Sequence, residues 1–180
     1  MFEMLLILAA AAAAAAALAG LGYLLLWLLL HGRRNGPGWE KLDGFRYAHR
    51  GLHGCGVPEN SLAAFRRAAE AGYGAELDVR LTKDGRLAVI HDAALDRVCG
   101  VSGRAAELTA AALSALRLEG TEERIPFLEE VAPLFAGRAP LIVELKTDWR
   151  SAGDLARRTV ECLDRFSIDY CVESFDPRPL

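Results

Sequence analysis

Two stretches of this sequence alternate ionisable and apolar residues, which is the pattern of β-strands that bury one face. In Ala75–Arg80, Glu76 and Asp78 alternate with apolar residues. Side chains along a strand point to opposite faces in turn, so the two acids share one face and the apolar residues share the other. The stretch therefore predicts a strand with a buried apolar face and an acidic face that can carry a functional site.

The second stretch, Leu141–Lys146, follows the same rule, with Glu144 and Lys146 on one face and apolar residues on the other. Two such strands indicate a sheet that carries ionisable groups along one side. Taken alone, the first pair also fits a solvated strand face, and the second pair also fits an ordinary ion pair.

Two further polar clusters end apolar runs, namely His49-Arg50-Gly51 and His91-Asp92. With the two strands, they supply two histidines, three carboxylates and the fixed cations Arg50 and Lys146. Carboxylates hold hard divalent cations, and histidine exchanges protons near neutral pH. This combination is suited to the metal-assisted cleavage of a phosphate ester.

Strand-like and helix-like segments alternate along the chain, which predicts an α/β fold with a mainly parallel sheet. The predicted strands are Phe45–His49, Gly74–Leu81, Leu87–His91, Leu141–Lys146 and Tyr170–Phe175. The predicted helices run from Asn60 or Ser61 to Ala71, from Thr109 onwards, from Pro126 to Gly137, and over Ser151–Phe166.

One turn signal conflicts with a purely parallel sheet. Asp84-Gly85 lies between the second and third predicted strands and favours a hairpin, which would pair them antiparallel. A parallel crossover normally needs a dozen or more residues, and this connection is shorter. The sequence leaves both arrangements open.

The N-terminal segment Met4–Leu30 carries no charge and is filled mainly by leucine and alanine. As a helix it would extend roughly 40 Å, which is enough to span a bilayer with some tilt. A cleaved signal peptide is the alternative, but its basic start is missing and the apolar run is too long for one. We predict a single transmembrane helix over 4–30, a linker over 31–44 and one soluble domain over 45–180.

The charges that flank this segment predict its orientation. Arg33 and Arg34 follow the apolar run, whereas the lone acid Glu3 precedes it, so the positive-inside bias places the soluble domain in the cytoplasm. The four cysteines show no metal or disulfide spacing, in agreement with a reducing compartment. A formal net charge of −3 gives no reason to expect nucleic-acid binding.

The ordered motifs of the soluble part resemble those of the glycerophosphodiester phosphodiesterase family. They are Ala48-His49-Arg50-Gly51, Pro58-Glu59-Asn60-Ser61, Glu76-Leu77-Asp78-Val79, Thr82-Lys83-Asp84-Gly85, His91-Asp92, Ile125-Pro126 and Glu144-Leu145-Lys146, with Ser174-Phe175-Asp176 resembling a later family strand. The resemblance implies a TIM-type (β/α) barrel that hydrolyses glycerophosphodiesters to glycerol 3-phosphate and an alcohol. Such a barrel has eight strands in about 250 residues, so we expect a partial barrel with about five of them.

The resemblance also implies roles for individual residues. The implied ligands of a divalent cation, with Mg²⁺ or Ca²⁺ expected, are Glu76, Asp78 and Glu144. The implied acid–base pair is His49 and His91, with either residue in either role, and the attacking oxygen is water or the glycerol hydroxyl. Arg50 and Lys146 are the implied phosphate ligands. Glu59 and Asn60 are expected to support the site, unless Asn60 only caps the next helix. Asp92 is expected to orient its loop.

Three functions remain open at this point. The first is a membrane-anchored glycerophosphodiester phosphodiesterase, which takes a small phosphodiester as its substrate and contacts the membrane through its N-terminal helix. The second is a barrel-type phospholipase that acts on phospholipid head groups. The third is a non-catalytic membrane-anchored remnant, since the strands that would close a barrel are expected to be missing after Leu180.

Overall fold

A computed structural model describes residues 2–30, 38–147 and 151–178 of the chain, which divides into two compact units at Trp39. The first unit contains the helix α1, Phe2–Leu30. Within it, Phe2–Leu28 is long and apolar enough to cross a membrane, by length and composition. Arg33 and Arg34, on which the predicted orientation depends, lie outside the described residues.

The second unit is built on a five-stranded sheet whose strands are β1 Tyr47–His49, β2 Gly74–Leu81, β3 Leu87–Val89, β4 Leu141–Leu145 and β5 Tyr170–Glu173. The order β1-β2-β4-β5 is parallel throughout, as predicted. This succession of neighbouring parallel strands with helices on the outside is the wall of a partial (β/α) barrel. β2 has the predicted boundaries, and the other four strands are shorter than predicted.

The third strand leaves this parallel path. β3 pairs with β2 antiparallel, with Val79 opposite Val89 and Leu81 opposite Leu87. The Asp84-Gly85 turn therefore forms a hairpin, and the conflict in the sequence is resolved in favour of the turn signal. Asp84 Oδ1 accepts hydrogen bonds from Thr82 Oγ1 at 2.6 Å and from the Ala110 backbone N–H at 2.9 Å, which fixes the turn.

The helices of the second unit are α2 Leu62–Glu70, α3 Asp96–Cys99, α4 Ala110–Ser114, α5 Leu128–Phe135 and α6 Ala152–Leu163, with a short 3₁₀ turn at Ala105–Glu107. Another 3₁₀ turn, Trp39–Lys41, includes the last residue of the first unit. The Ser61 hydroxyl caps α2 by accepting from the Ala64 N–H at 3.1 Å. Gly72, just beyond the end of α2, has a φ of 72°, the left-handed conformation that commonly follows a helix. Helix α3 was not predicted, because four residues carry no readable period.

The prediction that Pro126 starts a helix was wrong, since α5 begins at Leu128. The Pro126 carbonyl accepts a hydrogen bond from the Val89 N–H at 2.8 Å, and Phe127 forms a bridge with Ala88. The Ile-Pro segment is therefore held extended against β3. The helix starts after it, where Glu130 Oε2 accepts from the Phe127 N–H at 2.9 Å.

The outer face of the sheet forms the main core against α2, α5 and α6. Its buried residues from β2 and β4 are Ala75, Leu77, Val79, Leu141, Val143 and Leu145. Phe65 of α2 and Phe135 of α5 meet edge to face above them, with ring centroids 6.4 Å apart. Each buried Leu or Phe contributes about 1.5–3 kcal/mol relative to exposure. This packing holds the polar residues of the same strands on the opposite, inner face.

Candidate active site

The chain turns sharply after β1, and this turn brings Arg50 close to the acidic residues of β2. Arg50 has a φ of 56° and Gly51 a φ of 80°, so two consecutive residues adopt left-handed conformations. A Cβ at Gly51 would lie 2.8 Å from the Ala64 Cβ, which explains why the position requires glycine. The Arg50 N–H consequently donates to Glu76 Oε2 at 3.0 Å.

The Arg50 side chain contacts two carboxylates. Nη1 donates to Glu59 Oε1 at 3.1 Å, and Nε lies 3.5 Å from Asp78 Oδ2. Asp78 is completely buried, and its Oδ2 also accepts from Asn60 Nδ2 at 2.9 Å. Asn60 therefore binds Asp78, and the capping role considered for it belongs to Ser61.

On the neighbouring strand, Glu144 stands in register with Asp78. Lys146 lies close to both acids, with Nζ 2.6 Å from Glu144 Oε1 and 3.2 Å from Asp78 Oδ1. The alternation in the sequence thus placed these side chains correctly on one face. Arg50 and Lys146 bring two cations to the same group of carboxylates.

The two histidines lie at this edge of the sheet in different surroundings. His49 ends β1 with a side chain that is 69% exposed, and its Nε2 is 3.8 Å from Glu76 Oε2. His91 follows β3 beside the end of β2, because the Ile90 N–H donates to the Asp78 carbonyl at 3.0 Å. The His91 Nδ1 lies 2.6 Å from Asp92 Oδ1. Asp92 therefore contacts the histidine ring directly, in addition to any effect on its loop.

Two residues near the site, Glu173 and Arg97, were not predicted from the sequence. Glu173, at the end of β5, pairs in register with Glu144, so its carboxylate joins the acidic group. It directly precedes the Ser-Phe-Asp motif, and its position on the polar face of the last strand is the only sequence feature that marks it. Arg97 of α3 donates to both Asp92 and Glu59.

Burial and the neighbouring acids favour the protonated form of Glu76. Burial, followed by the negative charges of Asp78, Glu144 and Glu173, raises the pKa of Glu76 to about 7, despite the opposing hydrogen bond from the Arg50 N–H. Burial and the charge of Glu144 also raise the pKa of Glu173. Both shifts disfavour the charged forms of these two acids.

The same acids fit a divalent cation. One oxygen from each of Glu76, Glu144 and Glu173 lies within 4.8 Å of the others, which makes this group a candidate metal site. Among the described residues, the buried Oδ1 of Asp78 accepts no hydrogen bond, although Lys146 lies nearby. Carboxylate oxygens are the ligands that Mg²⁺ and Ca²⁺ take. Of the three predicted ligands, Glu76 and Glu144 fall in the compact group with Glu173, and Asp78 is held by Asn60 and Lys146.

Residues 49–169 match the sequence profile of the glycerophosphoryl diester phosphodiesterase family. The chain belongs to this family. A glycerophosphodiester phosphodiesterase from Bacillus altitudinis is 37% identical over 132 residues, which are 68% of this chain and 54% of that protein. A lysophospholipase D from Rattus norvegicus is 33% identical over 133 residues, which are 67% of this chain and 40% of that protein.

The solved structure of a phosphodiesterase agrees with the fold. The Oleispira antarctica phosphodiesterase in complex with the product sn-glycerol-3-phosphate matches with a TM-score of 0.72 at 27% identity, over 79% of this chain and 61% of that chain. The chain spans about half the length of the curated relatives it matches. Its fold is therefore that of part of a family barrel.

Proposed function

We propose that the protein hydrolyses glycerophosphodiesters to glycerol 3-phosphate and an alcohol. The observation that carries the proposal is the meeting of Glu76, Asp78 and Glu144 with Arg50 and Lys146 on one face of the sheet. A phosphodiester is an anion whose charge increases in the transition state, so a site of this kind must combine cations with ordered acids. Family membership supports the same reaction.

In this proposal, Arg50 and Lys146 bind the two non-bridging phosphate oxygens. A divalent cation held by Glu76, Asp78 and Glu144, with Glu173 beside them, would supply the charge that two side chains cannot provide alone. Mg²⁺ and Ca²⁺ are the expected ions, because every proposed ligand is an oxygen. Asn60 keeps Asp78 in place, and Glu59 keeps Arg50 in place.

His49 and His91 carry the protons in the proposed reaction. One imidazole accepts the proton of the attacking oxygen, and the other donates a proton to the departing alkoxide as the P–O bond to the alcohol breaks. With water as the overall second substrate, the products are glycerol 3-phosphate and the free alcohol. Positioned proton transfer of this kind typically accounts for about 10²–10⁴-fold in rate.

The test is direct product analysis. The full chain in detergent micelles, supplied with Mg²⁺ or Ca²⁺, should convert sn-glycero-3-phosphocholine to glycerol 3-phosphate and choline, detected by a coupled dehydrogenase assay. The Glu144→Gln variant should lose this turnover, whereas Glu161→Gln on the exposed surface of α6 should not. Release of phosphocholine, or no turnover by a folded, metal-loaded chain, would contradict the proposal.

A phospholipase activity is the second candidate, because the apolar helix α1 could hold the domain at a lipid surface and one relative is named a lysophospholipase D. Lysophosphatidylcholine in mixed micelles distinguishes the two functions. Turnover of this lipid above that of the deacylated diester would favour the phospholipase.

We further propose that α1 anchors the protein in a membrane with the second unit on the cytoplasmic side. Arg33 and Arg34 support this orientation through the positive-inside bias. Protease added outside intact cells should leave the unit that begins at Glu40 uncut. External digestion of that unit would reverse the orientation.

A further inference from the structure

Arg97 connects two loops of the candidate site, the loop after β1 that carries Glu59 and the loop after β3 that carries Asp92. It lies on the short helix α3, and its Nε donates to Asp92 Oδ2 at 2.5 Å. Its Nη2 donates to Glu59 Oε1 at 2.6 Å. One guanidinium thus holds two carboxylates from different loops, and one of them, Glu59, is 38 residues away from Arg97 in the sequence. A guanidinium can make such contacts because its N–H groups form a rigid planar fork.

Each of these carboxylates has a second partner within the proposed machinery. Asp92 Oδ1 contacts the His91 ring at 2.6 Å, and Glu59 Oε1 accepts from Arg50 Nη1 at 3.1 Å. The result is a series of hydrogen-bonded side chains, in which nitrogen groups alternate with carboxylates, that runs from His91 through Asp92, Arg97 and Glu59 to Arg50. Its two ends are a proposed proton-transfer residue and a proposed phosphate ligand.

We propose that Arg97 is a positioning residue that holds His91 and Arg50 in one fixed arrangement through Asp92 and Glu59, a role that rests on the proposed function. Asp92 is ionised at neutral pH, since the hydrogen bond from Arg97 lowers the pKa of its carboxyl to about 2. An ionised carboxylate only accepts hydrogen bonds, so Nδ1 of His91 carries the proton. In the neutral ring this leaves Nε2 as the basic nitrogen, and Arg97 thereby fixes the tautomer.

A purely structural role for Arg97 predicts something different. Its side chain is 49% exposed, and ion pairs at such positions contribute little to folding stability. If Arg97 only tied α3 to the preceding loop, its removal would leave both kcat and KM unchanged in the folded protein. A positioning role predicts a change in both parameters, because the two ends of the series serve catalysis and substrate binding.

The kinetic test uses the full chain and a matched arginine. Arg157 is the control, since it also pairs with two carboxylates, Asp154 and Glu161, and is 54% exposed on α6. Arg97→Met should lower kcat by about 10- to 100-fold, the usual effect of losing an outer partner that orients an active-site ring, and should raise KM. Arg157→Met should change neither parameter.

Variants of a single carboxylate separate the effect on His91, at one end of the series, from the effect on Arg50 at the other. Asp92→Asn should lower mainly kcat, whereas Glu59→Gln should raise mainly KM. In Arg97→Lys the single ammonium nitrogen lacks the planar fork that reaches the two carboxylates from separate nitrogens, so recovery should be incomplete. Added guanidinium ion should partly restore turnover to Arg97→Ala but not to Asp92→Asn. Wild-type kinetics in Arg97→Met, or equal rescue of both variants by guanidinium, would overturn the proposal.

A second readout does not depend on turnover. In proton NMR spectra, the Nδ1–H of a ring held by a carboxylate gives a downfield signal, which His91→Gln identifies by its loss. We expect this signal in the wild type and in Arg157→Met, and we expect it to broaden or disappear in Arg97→Met. An unchanged signal in Arg97→Met, or no signal in the wild type, would overturn the role of Arg97. If the wild type hydrolyses no diester, the proposed function fails, and this spectrum alone decides whether Arg97 positions His91.

Discussion

Arg50 and Asn60 meet through their backbones, since the Asn60 N–H donates to the Arg50 carbonyl at 2.9 Å, and both residues have a positive φ. Their φ values are 56° and 52°. Left-handed conformations are uncommon outside glycine and cluster at functional sites. Here they direct two side chains, from opposite ends of the loop between β1 and α2, at the same buried carboxylate, Asp78.

Gly51→Ala tests the turn that carries Arg50. The new Cβ would meet both the side chain and the backbone of Ala64 at a φ of 80°, so we expect the free energy of unfolding to fall by about 2 kcal/mol or more. Gly56→Ala is the control, because its φ is 81° and nothing lies within 4 Å of the new Cβ. Denaturant unfolding of both variants isolates the clash, and equal losses would argue against it.

Asn60→Ala tests the support of Asp78. It leaves Asp78 Oδ2 without its amide donor in a buried site, which should cost about 1–3 kcal/mol in the free energy of unfolding. Asn60→Gly removes the same amide but tolerates the left-handed backbone. If alanine and glycine destabilise the protein equally, strain contributes nothing and the amide accounts for the whole loss.

The pKa of Glu76 predicts how stability depends on pH without metal. Its folded pKa of about 7 lies above the ordinary value of 4.5, so the fold favours the protonated acid. The contribution of Glu76 to the free energy of unfolding is fully present below about pH 4.5 and is lost as the pH rises through 7, a change of roughly 2–3 kcal/mol. The free energy of unfolding is measured in EDTA from pH 5 to 8. It should fall with rising pH in the wild type, and this part of the fall should be absent in Glu76→Gln. A parallel pH profile for that variant would contradict the assignment.

Metal binding should stabilise the protein and should depend on Glu173. Calcium or magnesium ions that bind the folded state raise the unfolding midpoint, and EDTA should reverse the effect. Glu144→Gln and Glu173→Gln should both weaken binding in calorimetric titrations, whereas Glu161→Gln on α6 should not. Unchanged affinity in Glu173→Gln would limit the ligands to the three acids predicted from the sequence.

The two histidines should each be needed for turnover. His49→Ala and His91→Ala should each lower kcat by about 10²–10⁴-fold, because a positioned acid or base is lost. Circular dichroism and thermal unfolding check that both variants remain folded. A variant with near-normal turnover would mark that histidine as structural.

Local periodicity made much of the fold predictable. The two-residue repeat of β2 assigned Glu76 and Asp78 to the inner face, whereas Asp84-Gly85 only signalled a hairpin, which the antiparallel pairing of β2 and β3 then decided. The predicted start at Pro126 was wrong. A proline suits the first turn of a helix but is equally compatible with extended chain. Here the bridge between Phe127 and Ala88 keeps the chain extended. Only the contact between those two segments decided the boundary.

The order of side chains along a single element was enough to assign Glu76 and Asp78, and likewise Glu144 and Lys146, to one strand face, and to show that the N-terminal helix is apolar enough to cross a membrane. The tertiary structure decided which of these residues meet. Glu173 joins Glu144 because backbone hydrogen bonds set the register of β5 against β4, and Arg97 reaches Glu59 because α3 packs beside a distant loop. Neither contact leaves a local pattern, because register and loop packing depend on chain segments that are far apart in the sequence.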